Sequence, residues 1–247
     1  MAPTLDWLQM RLGLDAVQLR KILLRLPTVM SCSVEDNIAP KLEWLQKRLE
    51  PDDSGLRKMV LRRPSVLSTS IDILESKLDW LQRRLDLDDA QLKNMVLKIP
   101  PLLGLSVEDN IQPRLDWLQT RLELDEEELK KMVVAFPALL CYSVEANIQP
   151  KLGFFEEELG LSPSDVRASI VAAPNRLNYS LKTRFRPRLE VCRAAGVDAS
   201  LVLSYATQTD EKFCKRVGAP LEALRAAQET DSPSPSRSMG YVSPLRS

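Results

Sequence analysis

Residues Ser106 to Pro137 read SVEDNIQPRLDWLQTRLELDEEELKKMVVAFP, and this stretch decides the fold. It predicts two helices joined by a tight turn and closed by a proline, because a residue before proline is pushed out of the α region. Three columns of residues repeat it with steps of 37, 36, 37 and 37: Trp7, Trp44, Trp80, Trp117 and Phe154; Pro27, Pro64, Pro100, Pro137 and Pro174; Ser33, Ser70, Ser106, Ser143 and Ser180. A period of this length predicts stacked helical repeats with one continuous core.

The second helix of each repeat has a clear predicted start. Its first position carries a side chain that can accept a free amide of the first turn, in the column Asp15, Asp52, Asp88, Asp125 and Ser162. Its end is the proline column, after which we expect one short turn of 3₁₀ or α-helix. The first helix has a serine cap and, in most copies, an internal proline, which predicts a kink or two short helices. The third copy has Ser76 in place of that proline and is one residue shorter, so its bend should differ.

The two ends of the chain depart from the repeat. The array is predicted to span residues 1–219, with a closing repeat at about 176–217, in which Ala199–Val217 forms one helical element. Residues 220–247 lose the periodicity, and Ser232–Ser236 has the composition of a disordered tail. The first repeat begins in mid-pattern, which favours a missing N-terminal piece, and neither an organellar leader nor a transmembrane run is visible.

Composition argues against catalysis. The chain has no histidine, so histidine-based acid–base chemistry and histidine metal ligands are excluded, and its 8 glycines form no phosphate-binding loop. Cys32, Cys141, Cys192 and Cys214 form no C-x-x-C pair and are expected to be reduced thiols. We therefore predict a protein that is not an enzyme and holds no cofactor or metal.

Two groups of cations are candidate nucleic-acid contacts, although the 34 basic and 34 acidic residues balance to a net charge of zero. The first group has one cation per repeat, as a ladder along phosphates requires; the alternative is that these side chains cover apolar surface with their stems. It comprises Lys41, Lys77, Arg114, Lys151 and Arg188. The second group lies in residues 174–216, where nine basic and four acidic residues give +5. Its leading members are Lys182, Arg184, Arg186, Arg188, Lys215 and Arg216.

Aromatic residues near the basic end could stack on an unpaired base. Tyr142, Phe154, Phe155 and Tyr179 are the candidates. At helical spacing, however, aromatic side chains belong more often to the core, and both interpretations stay open at this point.

The repeated pattern S-x-E-x-N-I-x-P-[KR]-L-x-[WF]-L, followed by L-x-x-[MV]-V-x-x-x-P-x-L-L, resembles the mitochondrial transcription termination factor (mTERF) repeat. The similarity covers residues 5 to 217, including the closing segment from Ser180 to Arg188 and from Phe213 to Val217. It implies an all-α, right-handed superhelical solenoid of about five to six mTERF-type repeats. It also implies a monomer in a mitochondrion or chloroplast whose concave basic face binds double-stranded DNA and regulates transcription termination or initiation.

Two other functions remain open at the level of sequence. Some members of the family act on organellar RNA or in ribosome assembly, which gives RNA and assembly proteins as alternative partners. A protein-interaction scaffold is the third possibility, and the net charge of zero favours it.

Overall fold

The computed structural model describes residues 3–230, and these residues form helices and turns without β-strands. The Ser/Pro-rich segment predicted to be disordered, Ser232–Ser236, lies outside them. The chain divides into two compact units, the first ending at Val144 and the second beginning at Glu145. No helix within residues 3–230 is long and apolar enough to cross a membrane.

The first unit contains four helix pairs, and we call the members of each pair helix A and helix B. Helices A and B alternate as α1 Pro3–Leu12, α2 Ala16–Arg25, α3 Ala39–Leu49, α4 Asp53–Arg62, α5 Ile71–Arg84, α6 Asp89–Lys98, α7 Gln112–Arg121 and α8 Glu126–Ala135. A 3₁₀ turn follows each helix B, at Pro27–Ser31, Pro64–Leu67, Pro100–Gly104 and Pro137–Cys141. These turns confirm the prediction from the proline column.

The second unit continues the pattern and then leaves it. It contains α9 Gln149–Gly153, α10 Pro163–Ala172, a 3₁₀ turn at Pro174–Asn178, α11 Arg186–Ala194, α12 Leu201–Ser204, α13 Asp210–Val217 and α14 Leu221–Thr230. A π-helical segment, Phe154–Glu158, continues α9, and Phe154, Phe155 and Phe185 form a buried aromatic cluster. Phe154 and Phe155 are therefore core residues.

The caps of helix B follow the sequence closely. Asp15, Asp88 and Asp125 each accept the amide three residues later, and the side chain of that later residue bonds back in a full capping box. Asp52 and Ser162 also cap their helices. Because each cap satisfies an otherwise unpaired amide, it fixes the residue at which helix B begins.

The internal proline of helix A is accommodated by a π-helical turn. In the second repeat, the amide of Ile38 bonds to the carbonyl of Ser33, five residues back, and α3 then begins with Pro40 in its first turn. The same wide turn occurs at Val107–Ile111, Val144–Ile148 and Leu181–Phe185. In the third repeat the amide of Leu74 bonds to Ser70, four residues back, and α5 is regular from its start. A π turn contains one residue more than an α turn. The third copy is one residue shorter and therefore has the α turn.

Two predictions for the C-terminal part were wrong. Ala199–Val217 is not one element, because Thr209 caps a new helix, α13, by accepting the amide of Lys212. Residues 221–230 form α14, although the sequence predicted that order ends at residue 219. This helix packs on α11 and buries Leu224 completely, so a short apolar face stabilises a segment rich in alanine.

Candidate nucleic-acid interface

Four of the five cations of the predicted ladder lie inside the protein, and the fifth, Arg114, is half-buried. Lys41, Lys77 and Lys151 are only 4%, 8% and 5% exposed, and Arg188 is fully buried. Their heads therefore do not line a surface that a phosphate could reach, which removes the ladder from the candidate interface. Burial disfavours the charged form and lowers the pKa of all three lysines, that of Lys151 to about 8.

The three lysines and the half-buried Arg114 instead each close the end of a 3₁₀ turn. Lys41 donates to the carbonyl of Leu67 at 2.6 Å, Lys77 to that of Leu103 at 2.6 Å, and Arg114 to that of Leu140 at 2.6 Å. Lys151 donates to the carbonyl of Leu177 in the second unit. Carbonyls at the end of a helical turn have no partner in that turn, and a cation is the favourable cap for them. These four cations thus join helix A to the 3₁₀ turn that follows helix B.

Three of these cations have a second acceptor on their own helix. Lys41, Arg114 and Lys151 also donate to an asparagine four residues earlier, namely Asn37, Asn110 and Asn147. The third repeat has no such asparagine, since Ile73 is at that place and is 57% exposed. The Asn-x-x-x-[KR] spacing alone does not mark an inward-facing cation, because Lys98 and Lys182 have the same spacing and are exposed.

Arg188 organises the closing segment. It donates to the carbonyl of Tyr205 at 2.9 Å, to that of Gln208 at 2.7 Å and to the carboxylate of Asp210 at 2.7 Å, and it lies over the ring of Phe213. Burial opposes ionisation of Asp210, but hydrogen bonds from Arg188 and Gln228 outweigh it and hold the pKa of Asp210 below its usual value. The buried guanidinium group of Arg188 is therefore paired with the charged, half-exposed carboxylate of Asp210.

Exposed cations gather instead around α13. Lys212, Lys215 and Arg216 line a cleft of about 750 Å³ together with the polar residues Thr207, Gln208 and Thr209. All three cations are exposed to solvent. Arg216 also lies 5.5 Å from the ring centroid of Tyr205. We call this feature the α13 cleft.

The remaining predicted cations lie on the segment before α11. Lys182 and Arg186 are exposed, and Arg186 is paired with Glu158 at 3.1 Å. Arg184 is half-buried over the ring of Tyr179, at 4.2 Å, and donates to the carbonyl of Gln208. Arg184 thus attaches this segment to the wall of the α13 cleft, while the ring of Tyr179 is covered by a guanidinium group.

Part of this site could be predicted from the sequence. Lys215 and Arg216 lie in the cleft as a pair, and Lys182 and Arg186 are exposed elsewhere on the same unit. Lys212, Thr207 and Thr209 were missed as site residues. The signal that could have found them is the N-cap threonine before Asp210, since a helix start at that place puts 212, 215 and 216 on adjacent turns.

These features define an all-α helical-repeat protein with a cluster of exposed cations around a cleft of its C-terminal unit. The sequence model of the mTERF family matches residues 5–73 and 47–214, and the chain belongs to that family. No individual curated protein matches the chain. The family consists of helical-repeat proteins that bind nucleic acid in the transcription and translation of organelles and are generally not enzymes.

Proposed function

We propose that this protein binds double-stranded DNA through the α13 cleft and regulates transcription in a mitochondrion or chloroplast. The observation that carries the proposal is the group of three exposed cations around one polar cleft. Lysine and arginine at such a place neutralise phosphates and release counterions, which favours binding even when the whole chain is neutral. The hydroxyl and amide groups of Thr207, Gln208 and Thr209 can add uncharged hydrogen bonds to phosphate oxygens.

Lys182 and Arg186 extend the proposed contact surface within the second unit. Arg184 and Arg188 hold the carbonyl of Gln208 and so position the wall of the cleft. Lys41, Lys77, Arg114 and Lys151 are not proposed as contacts, since their heads are bonded to main-chain carbonyls. Because phosphate contacts dominate this arrangement, we expect weak discrimination between sequences.

The test is a salt titration of binding to a duplex DNA of mixed sequence. The logarithm of affinity should fall linearly with the logarithm of salt, with a slope of roughly 0.9 for each phosphate neutralised. Lys212→Glu, Lys215→Glu and Arg216→Glu together should weaken binding and flatten that slope. A matched control reverses three exposed cations of the first unit, Lys21, Lys47 and Lys58, and should leave the slope unchanged.

Single-stranded and duplex RNA of the same sequence form the comparison arm. Tighter binding to RNA at every salt concentration would replace the DNA proposal by an RNA-binding one. Equal loss of affinity in the cleft variant and the control variant would show that the α13 cleft has no special role.

A further inference from the structure

A cleft runs along α5 in the third repeat. Its volume of about 600 Å³ lies within the range of about 300–1,000 Å³ that is common for ligand sites. One side of it is α5, from Asp72 to Arg83, and the other is the start of the fourth repeat, from Ser106 to Glu108. Both sides belong to the first unit. We call this feature the α5 cleft.

Two of the lining residues are places at which the third repeat differs from its neighbours. Ile73 is at the place of Asn37 and Asn110, and Ser76 is at the place of an internal proline. Ile73 is 57% exposed. The third repeat therefore has an uncovered apolar side chain where the second and fourth repeats have a hydrogen-bonded amide.

This difference changes the hydrogen bonding of Lys77. The equivalent cations, Lys41 and Arg114, each donate to a carbonyl and also to the asparagine four residues earlier. Lys77 donates to the carbonyl of Leu103, which is its one acceptor within residues 3–230. Because an ammonium group has three donors, Lys77 retains a donor that Lys41 uses.

Lys77 is also a buried charge without an ion pair in the part of the chain that the structure describes. Burial lowers the pKa of Lys77 and the nearby Arg63 lowers it further, whereas Glu108 raises it. A buried charge costs free energy unless it is paired and hydrogen-bonded. An anion that enters the α5 cleft would supply the partner that Lys77 lacks.

Apolar side chains lie on both sides of Lys77 along the cleft. Trp80 follows it by three residues, so its half-buried indole ring lies on the same face of α5, one turn further on. Ile73 lies one turn before it, and Val107 belongs to the opposite side of the cleft. A ligand that meets the ammonium group therefore needs an apolar body beside its acceptor.

The charges of the lining favour a ligand with a single negative charge. Lys77 and Arg83 are cations, and Asp72 and Glu108 are exposed acids, so the lining is neutral as a whole. The hydroxyl group of Ser106 donates to the carboxylate of Glu108 at 3.2 Å. A neutral lining does not hold a polyanion such as a nucleic-acid backbone, because neutralising several phosphates requires several cations.

We propose that the α5 cleft binds a small monocarboxylate with an apolar body. The carboxylate accepts a hydrogen bond from the ammonium group of Lys77, and the body packs on Ile73, Trp80 and Val107. A carboxylate fits better than a neutral carbonyl group, because a charge-assisted hydrogen bond offsets more of the cost of the buried ammonium. This site belongs to the first unit and is independent of the α13 cleft.

Calorimetric titration of the full chain with naphthylacetate tests the class of ligand. The acid should bind saturably, and the neutral naphthylacetamide should bind roughly tenfold or more weakly, because it offers no charged acceptor. Octanoate is the aliphatic arm, and saturable binding of either acid supports the site. Binding of neither acid at millimolar concentration, or equal affinity for the acid and the amide, would overturn the proposal.

Two substitutions at Ile73 separate the role of Lys77 from that of the apolar wall. Ile73→Asn and Ile73→Ala both remove the isoleucine, but only the asparagine restores the second acceptor that Lys41 and Arg114 have. Ile73→Asn should therefore weaken the binding of naphthylacetate by roughly tenfold more than Ile73→Ala does. Equal weakening by the two substitutions would contradict the role of the free donor on Lys77.

The α13 cleft supplies a control for binding to exposed cations. Lys212→Glu with Lys215→Glu and Arg216→Glu should leave the affinity for naphthylacetate unchanged, because these residues belong to the second unit. An equal loss of affinity in this variant and in Ile73→Asn would overturn the proposal, since the acid would then be bound by surface charge rather than by the α5 cleft.

Discussion

The ammonium group of Lys77 lies 2.6 Å from the main-chain carbonyl of Leu103, 26 residues later in the chain. The same separation joins Lys41 to Leu67 and Arg114 to Leu140. The cation that recurs once per repeat in the sequence therefore makes a recurring internal hydrogen bond. This bond joins helix A to the 3₁₀ turn that follows helix B. The carbonyl it reaches is otherwise left without a donor at the end of its turn.

Lys77→Ala should destabilise the first unit, because the carbonyl of Leu103 would lose its donor in the interior. We expect a loss of about 1–3 kcal/mol in the free energy of unfolding, measured with urea. Lys47→Ala is the control, since Lys47 is an exposed lysine on a helix A, and its effect should stay within about 0.5 kcal/mol. Equal effects of the two substitutions would contradict the capping role of Lys77.

In the first four repeats the sequence was sufficient for the helix boundaries and insufficient for the direction of the cations. Serine, aspartate and proline act on their nearest backbone neighbours, so Ser33, Asp88 and Pro100 mark boundaries that the structure shares. Whether Lys41 faces solvent or Leu67 depends on how two segments 26 residues apart pack together. Periodicity places a residue on a face of its helix, but it does not say what covers that face.

The closing segment shows the same limit in another form. Ala199–Val217 has helical composition throughout, yet the chain stops α12 at Ser204 and starts α13 at Asp210. The carbonyls of Tyr205 and Gln208, between the two helices, accept bonds from Arg188. This tertiary interaction overrides local propensity, and it also forms the wall of the α13 cleft.

Ser76→Pro should destabilise the third repeat strongly. Proline at this interior position of α5 would remove one helical hydrogen bond and clash with the carbonyl four residues back, at a cost of about 3 kcal/mol or more. The second repeat tolerates Pro40 because an extra residue forms a π turn before it. Insertion of one residue after Asp72 together with Ser76→Pro should therefore recover much of the lost stability in thermal unfolding. A double variant no more stable than Ser76→Pro would contradict this account of the shorter repeat.

Arg188→Met should destabilise the second unit more than any single substitution of an exposed cation there. It would leave the carboxylate of Asp210 without its buried partner and would remove one of the donors to the carbonyls of Tyr205 and Gln208. Because the carboxylate of Asp210 is half-exposed, we expect a loss of about 1.5–3 kcal/mol in the free energy of unfolding, the range for hydrogen bonds to charged groups. Urea unfolding followed by circular dichroism measures the change.

A comparison with Lys215→Met separates folding from binding at this end of the chain. Lys215 is exposed in the α13 cleft, so its substitution should change DNA affinity with little effect on stability. Arg188→Met with unchanged stability would contradict the role of Arg188 as the organiser of the closing segment.

Lys151 should make the stability of the second unit depend on pH in the alkaline range. Burial lowers the pKa of its ammonium group from 10.5 to about 8 in the folded chain. Between these two values the unfolded chain holds a proton that the folded chain has released, so the free energy of unfolding rises with pH. Below about pH 8 both states are protonated, and the folded state carries the full cost of the buried charge.

From pH 7.5 to pH 10 the wild type should therefore gain about 2 kcal/mol in the free energy of unfolding relative to Lys151→Met, which has no group to titrate. Urea unfolding of both proteins at several pH values measures this difference, in which the titration of all other groups cancels. The exposed Lys47 supplies the control, since Lys47→Met should follow the wild type across the range. A difference between the wild type and Lys151→Met that does not change with pH would show that Lys151 keeps an ordinary pKa despite its buried position.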